Sequence, residues 1–161
     1  IASGRSDWSN QVPVASGLTS SSAAMKRMAI DLAQLPDPKF FRIVELKIGS
    51  DTPLYASFEL IIYSLFWLHS RMDSEKLGYE DRCVLLANNL DLSVLAPSTF
   101  YLNQDLDWLA KFLSTGLKQL FSARGVDVQF AYRSFPVAFR WPYPYQDTAL
   151  LKFFDDALTS E

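Results

Sequence analysis

The pattern of apolar and polar positions predicts two strands and a long helix in the first half of the chain. Apolar and β-branched residues fill the segment Phe40–Ile48, which is typical of a central strand. The segment Arg27–Ala33 alternates enough to predict an earlier strand, and a proline-containing turn joins the two. Thr52 and Pro53 suit the N-cap and first turn of a helix that is predicted to run to about Met72.

The second half continues the succession of strands and helices. In residues 80–102, a strand and a short buried helix both remain open for CVLLANN, whereas LSVLA predicts a strand. Asp105 to Arg124 predicts an amphipathic helix, VDVQFAY a further strand, and residues 147–158 a short closing helix. Helical crossovers connect parallel strands, so the sequence predicts an α/β fold. Its mixed sheet begins with an antiparallel hairpin and is flanked by helices.

The length of the chain, 161 residues, suits one domain. Residues 1–24 are rich in serine and glycine with little periodicity, so a loosely ordered lead-in is expected there. Residues 25–161 are expected to form a single α/β domain that ends in a tail rich in proline and aromatic residues.

Composition and charge exclude several classes of site. Fifteen basic and eighteen acidic side chains give a net charge of −3, which excludes a broad basic coat for nucleic acid but not a local basic groove. The single cysteine, Cys83, excludes an internal disulfide and a cysteine-based zinc site, and the single histidine, His69, excludes a multi-histidine metal centre. Cys83 is expected to be a small core residue.

The sequence contains no pattern of a secretory leader or a membrane span. The first ten residues lack an apolar segment of the leader type. The longest apolar stretch, Phe58 to Leu68, contains Glu59 and Ser64 and is too short to cross a bilayer, so a buried helix is expected. These observations predict a cytoplasmic protein with no membrane partner.

Two carboxylates and a lysine fall on the predicted hairpin. Side chains alternate along a strand, so Glu45 and Lys47 share one face. If the hairpin is centred near Asp37, then Asp31 pairs with Ile43 and is a diagonal neighbour of Glu45, with about 7–8 Å between their Cβ atoms. A slip of one residue would move Asp31 to the other face of the sheet.

This arrangement predicts metal-dependent chemistry. Two carboxylates that reach inward from neighbouring strands can share Mg²⁺, or alternatively Mn²⁺. Such a cation activates water and neutralises charge on a phosphodiester, and a nearby lysine stabilises that charge or assists the attacking water. Asp31 and Glu45 are therefore the candidate metal ligands of a phosphodiester hydrolase, and Lys47 is its candidate catalytic amine.

The order of these residues resembles the PD-(D/E)XK nuclease superfamily, which has a restriction-endonuclease-like core. Asp31, a turn, a hydrophobic strand that ends in Glu45-Leu46-Lys47 and a following helix match its pattern. Many members carry Gln-hydrophobic-hydrophobic-x-Tyr on that helix, whereas this chain has Glu59-Leu60-Ile61-Ile62-Tyr63. The resemblance implies a nuclease that cleaves nucleic acid, with DNA favoured over RNA and Glu59 as an accessory catalytic residue.

Two other interpretations remain open. One is a catalytically silent domain of the same fold that binds nucleic acid or assembles with proteins, and the other is an unrelated α/β domain whose aromatic tail forms a protein interface. Arg133 and Arg140 are weak candidates for nucleic-acid binding beside Trp141, Tyr143 and Tyr145, although packing of the tail over the core is favoured. A homodimer and a larger-protein context are also left open.

Overall fold

The computed structural model contains a five-stranded sheet with the strand order β1-β2-β3-β4-β5. It describes residues 5–14, 28–49, 51–140, 142 and 144–159. The strands are β1 (Trp8–Pro13), β2 (Ala29–Asp37), β3 (Phe40–Leu46), β4 (Asn89–Ala96) and β5 (Asp127–Ser134). The helices are α1 (Pro53–Met72), α2 (Ser74–Leu77), α3 (Asp107–Ser122) and α4 (Asp147–Thr159).

The sheet is mixed, as the sequence predicts. Strands β1, β2 and β3 pair antiparallel, whereas β3, β4 and β5 pair parallel. Helix α1 connects β3 to β4, and α3 connects β4 to β5. The prediction of an α/β fold with an initial antiparallel hairpin and flanking helices is confirmed.

Each face of the sheet has its own apolar core. The core under α1 and α3 includes Ile43, Leu60, Leu92, Phe121 and Phe130. The core under α4 includes Trp8, Val44, Leu95, Phe135 and Leu158. Because neighbouring strand residues point to opposite faces, Ile43 and Val44 belong to different cores. The same alternation places Glu45 on the α1 side of the sheet.

Strand β1 corrects the expectation of a loosely ordered lead-in over residues 1–24. Trp8 is buried against Phe154 of α4, with 6.3 Å between ring centroids, and β1 pairs with β2 along its length. Most other β1 side chains are exposed, so the strand lacks the apolar alternation by which a strand is recognised in sequence. The remainder of the predicted lead-in, residues 1–4 and 15–24, lies outside the described residues.

Helix α1 begins and ends as the sequence predicts. The Thr52 side chain accepts a hydrogen bond from the Tyr55 amide, and Pro53 occupies the first turn. The expected burial of Phe58 to Leu68 holds for one side of the helix only, because Phe58, Ile62 and Leu65 are exposed.

The ambiguous segment between α1 and β4 contains a 3₁₀ turn over Cys83–Leu86. The expectation of a buried Cys83 is wrong, because Cys83 begins this turn with its side chain exposed and Leu85 supplies the buried position. None of the helices within the described residues is long and apolar enough to span a membrane.

The proline-aromatic tail packs over the core on the α4 side. Phe139 stacks on Phe135 with 4.0 Å between ring centroids, and Tyr145 stacks on Phe139 at 5.6 Å. Packing of the tail over the core is the interpretation that the sequence favours. Trp141 and Tyr143 lie outside the described residues.

Candidate active site

The register of β2 against β3 sets the candidate acids closer together than the sequence analysis expects. Ala33, not Asp31, faces Ile43, and Leu32 faces Val44, so the same register places Asp31 directly opposite Glu45. The predicted pairing of Asp31 with Ile43 is therefore wrong by two residues. Because a shift of two preserves the face, both acids still lie on the α1 side.

A bulge explains this error in the register. Between the pairs Gln34↔Arg42 and Asp37↔Phe40, β2 contains one more residue than β3. Pro36 falls in this interval and has no amide hydrogen for a ladder bond. The turn itself is tight, and the Asp37 side chain accepts a hydrogen bond from the Lys39 amide.

Lys47 is the centre of the site. Its ammonium group contacts Glu59 Oε2 at 2.7 Å, Glu45 Oε1 at 2.9 Å and Asp51 Oδ2 at 3.3 Å. It also lies 5.5 Å from the centroid of the Tyr55 ring. The structure thus brings Lys47 together with Glu45 and Glu59, and it adds Asp51 from the loop between β3 and α1.

Asp31 is fixed by two hydrogen bonds. Its Oδ2 atom accepts a bond from the Leu46 amide at 2.9 Å, and its Oδ1 atom accepts one from Gln11 Nε2 at 3.1 Å. Gln11 has a φ of 48°, in the left-handed region that side chains other than glycine rarely adopt. Strands β1 and β3, the two neighbours of β2, therefore hold this carboxylate from both sides.

Glu45 is buried and only partly satisfied. One oxygen, Oε1, contacts Lys47, but Oε2 has no hydrogen-bond partner within the part of the chain that the structure describes. Burial, together with the negative charges of Asp31 and Glu59, raises the pKa of Glu45 to about 8 against the opposing effect of Lys47. A buried carboxylate oxygen without a partner is costly, so this atom requires an explanation.

Lys47 and the Tyr63 hydroxyl keep their protons at neutral pH. Burial opposes the charge of Lys47, but its bonds to Glu59 and Glu45 outweigh that effect and raise the pKa of Lys47 well above its ordinary value. Burial, together with the charges of Glu45, Glu59 and Asp31, raises the pKa of the Tyr63 hydroxyl. Lys47 is therefore a cation at neutral pH and is suited to stabilise negative charge, not to act as a base.

Asp31 and Glu45 are the two carboxylates of the site that could hold a hard cation. Asp31 and Glu45 lie on neighbouring strands, and the Glu45 Oε2 atom has no hydrogen-bond partner among the residues that the structure describes. Within the described residues, no group of three or more histidine, cysteine, aspartate or glutamate side chains has the geometry of a metal site. Mg²⁺ is commonly held by only one or two carboxylates, with water and substrate phosphate as its other ligands.

The arginines that the sequence proposes for nucleic-acid binding lie away from this site. Arg133 is on the opposite face of the sheet, where Nε donates to Ser93 at 3.0 Å and Nη2 lies 3.8 Å from Asp91. The Arg140 guanidinium donates to the carbonyl oxygens of Val137 and Phe139. Both arginines thus make contacts within the chain on the side of the α4 core.

Sequence reasoning missed three members of the site. Asp51 follows Glu-x-Lys by only a few residues and stands directly before the helix cap, and this position in the sequence was a usable signal. In the structure it has a φ of 70°, as is typical of a turn. Tyr55 also belongs to the first turn of α1, next to the cap. Gln11 offered no signal, because only the pairing of β1 with β2 brings it to Asp31.

Comparisons of the chain with protein-family models, with curated proteins and with solved structures find no match.

Proposed function

We propose that the chain is a metal-dependent nuclease that hydrolyses phosphodiester bonds, with Asp31 and Glu45 as metal ligands. The observation that carries the proposal is the buried Glu45 Oε2 atom, which has no partner in the described part of the chain and lies near a second carboxylate. A site of this kind is destabilised by its own charges, and a divalent cation would stabilise it. The resemblance of Asp31 and Glu45-Leu46-Lys47 to the PD-(D/E)XK pattern is in agreement with this chemistry.

The chain's own residues have distinct roles in the proposal. Asp31 and Glu45 would hold Mg²⁺, which supplies an activated water and neutralises charge on the scissile phosphate. Lys47, which is positively charged, would donate to the phosphate oxygens as negative charge develops on them. Of the three carboxylate contacts that Lys47 makes, the one to Asp51 is the longest, at 3.3 Å, and the Asp51 side chain is half-exposed. An incoming phosphate would therefore replace Asp51 at Lys47.

The charge of the site makes nucleic-acid binding dependent on metal. Three carboxylates, those of Glu45, Asp51 and Glu59, contact the one ammonium group, and Asp31 adds a fourth near Glu45. A polyanion is repelled from such a surface until a cation compensates for part of the charge. DNA, the favoured substrate, is therefore expected to bind in Mg²⁺ or Mn²⁺ and to dissociate in a chelator.

The experiment compares Glu45→Gln with Glu80→Gln, a matched change of an exposed glutamate outside the site. Cleavage of single- and double-stranded DNA and of RNA is measured with Mg²⁺, with Mn²⁺ and with chelator, and Mn²⁺ binding is measured by calorimetric titration. We expect metal-dependent cleavage that falls at least 100-fold in Glu45→Gln and is unchanged in Glu80→Gln. Equal metal binding by the two variants would contradict the proposal.

A catalytically silent module is the second candidate function. The observation that favours it is the saturation of Lys47, because Glu45, Glu59 and Asp51 already accept all three of its donors. Glu59 also stands where the resembled family carries glutamine, and it adds to the negative charge. Metal binding at Asp31 and Glu45 without cleavage of any of these substrates would favour this candidate.

A further inference from the structure

Helix α1 has an apolar outer face opposite the side that it packs on the sheet. Leu60 and Trp67 lie at the centre of its buried side. The opposite side presents a row of six residues, which we name the outer seam: Tyr55, Phe58, Ile62, Leu65, His69 and Met72. The five apolar members are between 40% and 54% exposed. A helix that is apolar on both sides is expected to be covered on both.

The spacing of the outer seam is that of a helix-pairing surface. Its members follow one another at intervals of three, four, three, four and three residues. This alternation is the 3.5-residue repeat by which a helix keeps one stripe against a partner helix. An ordinary exposed helix face would carry charged residues at several of these positions.

The charged side chains of α1 do not interrupt the seam. Glu59 pairs with Lys47 beneath the helix, and Arg71 donates to the carbonyl oxygens of Leu85 and Ala87. His69 is the one titratable side chain other than tyrosine among the six, and it contacts Asp73 at 3.1 Å. No seam position thus carries a permanent charge.

The order of the seam residues suits an antiparallel partner with the same seam. Around the point between Ile62 and Leu65, the spacing is the same in both directions. Two antiparallel copies would therefore set Tyr55 against Met72, Phe58 against His69 and Ile62 against Leu65, with no member left over. An antiparallel pair also places helix ends of opposite partial charge side by side.

The available area is enough for a specific contact. If each apolar seam residue and the neighbouring Leu54 buries roughly 90 Å², and His69 a similar amount, two seams remove about 1,200 Å² from water. Specific interfaces begin at about 1,000 Å². The contact would thus be at the small end of the range, which predicts a dimer that dissociates on dilution.

We propose that the outer seam of α1 is the interface of a symmetric homodimer in which the two α1 helices pack antiparallel. The occupant of the apolar face is a second copy of this chain. The proposal does not involve the candidate metal ligands, since neither Asp31 nor Glu45 belongs to the seam, and Tyr55 is the one seam residue that also contacts Lys47 of the candidate site. The proposal predicts a dimer whose contact is formed by the two α1 helices.

The first test measures the mass of the full chain by sedimentation equilibrium over a range of concentrations. We expect twice the 18.3 kDa chain mass at high concentration, and the chain mass alone for Leu65→Asp, which places two charges at the centre of the interface. Phe112→Asp is the matched control, because Phe112 is a more exposed apolar residue on α3. Circular dichroism verifies that both variants fold.

The second test determines the orientation. Ile62→Cys and Leu65→Cys chains are prepared with Cys83→Ser, which removes the exposed native thiol. Under mild oxidation, we expect disulfides between the two different chains when they are mixed and few within either preparation alone. Disulfides within each preparation alone would overturn the antiparallel arrangement. A chain that is monomeric at every concentration, or a dimer that Phe112→Asp dissociates as much as Leu65→Asp does, would overturn the proposal that a second copy covers the seam. A different protein would then be the occupant to test.

Discussion

The two faces of the sheet each hold a buried carboxylate, and the two carboxylates differ in how they are satisfied. Asp91 on β4 accepts from Arg42 at 2.6 Å and from Ser93 at 3.1 Å, with Arg133 at 3.8 Å. Glu45 on β3 is buried to a similar degree, but it has one ammonium partner and an oxygen with none among the described residues. The first carboxylate is compensated within the fold, whereas the second is the one that the proposed function assigns to a cation.

The largest expected effect is the loss of stability when Asp91, the buried carboxylate on the α4 side, is neutralised. Asp91→Asn removes the charge that compensates two largely buried guanidinium groups, so the free energy of unfolding should fall by about 3 kcal/mol. Glu45→Gln is the same chemical change on the other face. It should lower the free energy of unfolding by less, because Lys47 still forms ion pairs with Glu59 and Asp51. Urea denaturation at pH 7 measures both. Similar losses in the two variants would contradict the distinction.

The next effect concerns the pH dependence of stability without metal. The pKa of Glu45 is raised in the folded state, from 4.5 to about 8, so the stability that it contributes is complete below pH 4.5 and is lost as the pH rises through 8. Thermal unfolding from pH 4.5 to 8.5 should show this decline in the parent chain and in Glu80→Gln.

Two further conditions sharpen this measurement. Glu45→Gln should lack the decline, because glutamine does not ionise. Addition of Mg²⁺ at pH 8 should restore stability to the parent chain but not to Glu45→Gln, since the cation favours the ionised carboxylate. A decline of equal size in Glu45→Gln would assign the pH dependence to another group.

The smallest effect concerns Gln11, which bonds Asp31 from the first strand. Gln11→Ala should weaken Mn²⁺ binding and slow cleavage by about fivefold, in proportion to the loss of one hydrogen bond worth about 1 kcal/mol. Asn10→Ala, a change of the exposed neighbour, is the control and should alter neither. Calorimetric titration checks the metal binding, and unchanged affinity in Gln11→Ala would remove Gln11 from the site.

Local sequence patterns predict most of the architecture. The apolar run of β3, the Thr52-Pro53 cap and the crossover helices are each encoded by neighbouring residues, so the mixed sheet follows from them. Strand β1 could not be recognised, because its one buried aromatic, Trp8, depends on α4 at the other end of the chain. The bulge at Pro36 depends on how β2 pairs with β3, and a proline near a turn does not by itself predict a bulge.

The candidate site was predictable in part for the same reason. Glu45 lies on β3 and Lys47 directly follows its last residue, so alternation of side chains along the extended chain places them together. The distance between Asp31 and Glu45 depends on the register, which the tight turn and the bulge determine. That Glu45 Oε2 has no partner within the described ranges depends on the surroundings of a buried atom, which no residue pattern encodes.

The bond from the Leu46 amide to Asp31 gives this aspartate a second duty in strand pairing. Evolutionary loss of either acid would therefore have unequal consequences. Under the proposed function, a lineage that abandoned catalysis could replace Glu45 with a neutral residue and relieve an unfavourable charge, whereas replacement of Asp31 would leave a backbone amide without its acceptor. Descendants that retain Asp31 beside an altered Glu45 are thus expected to be the inactive ones.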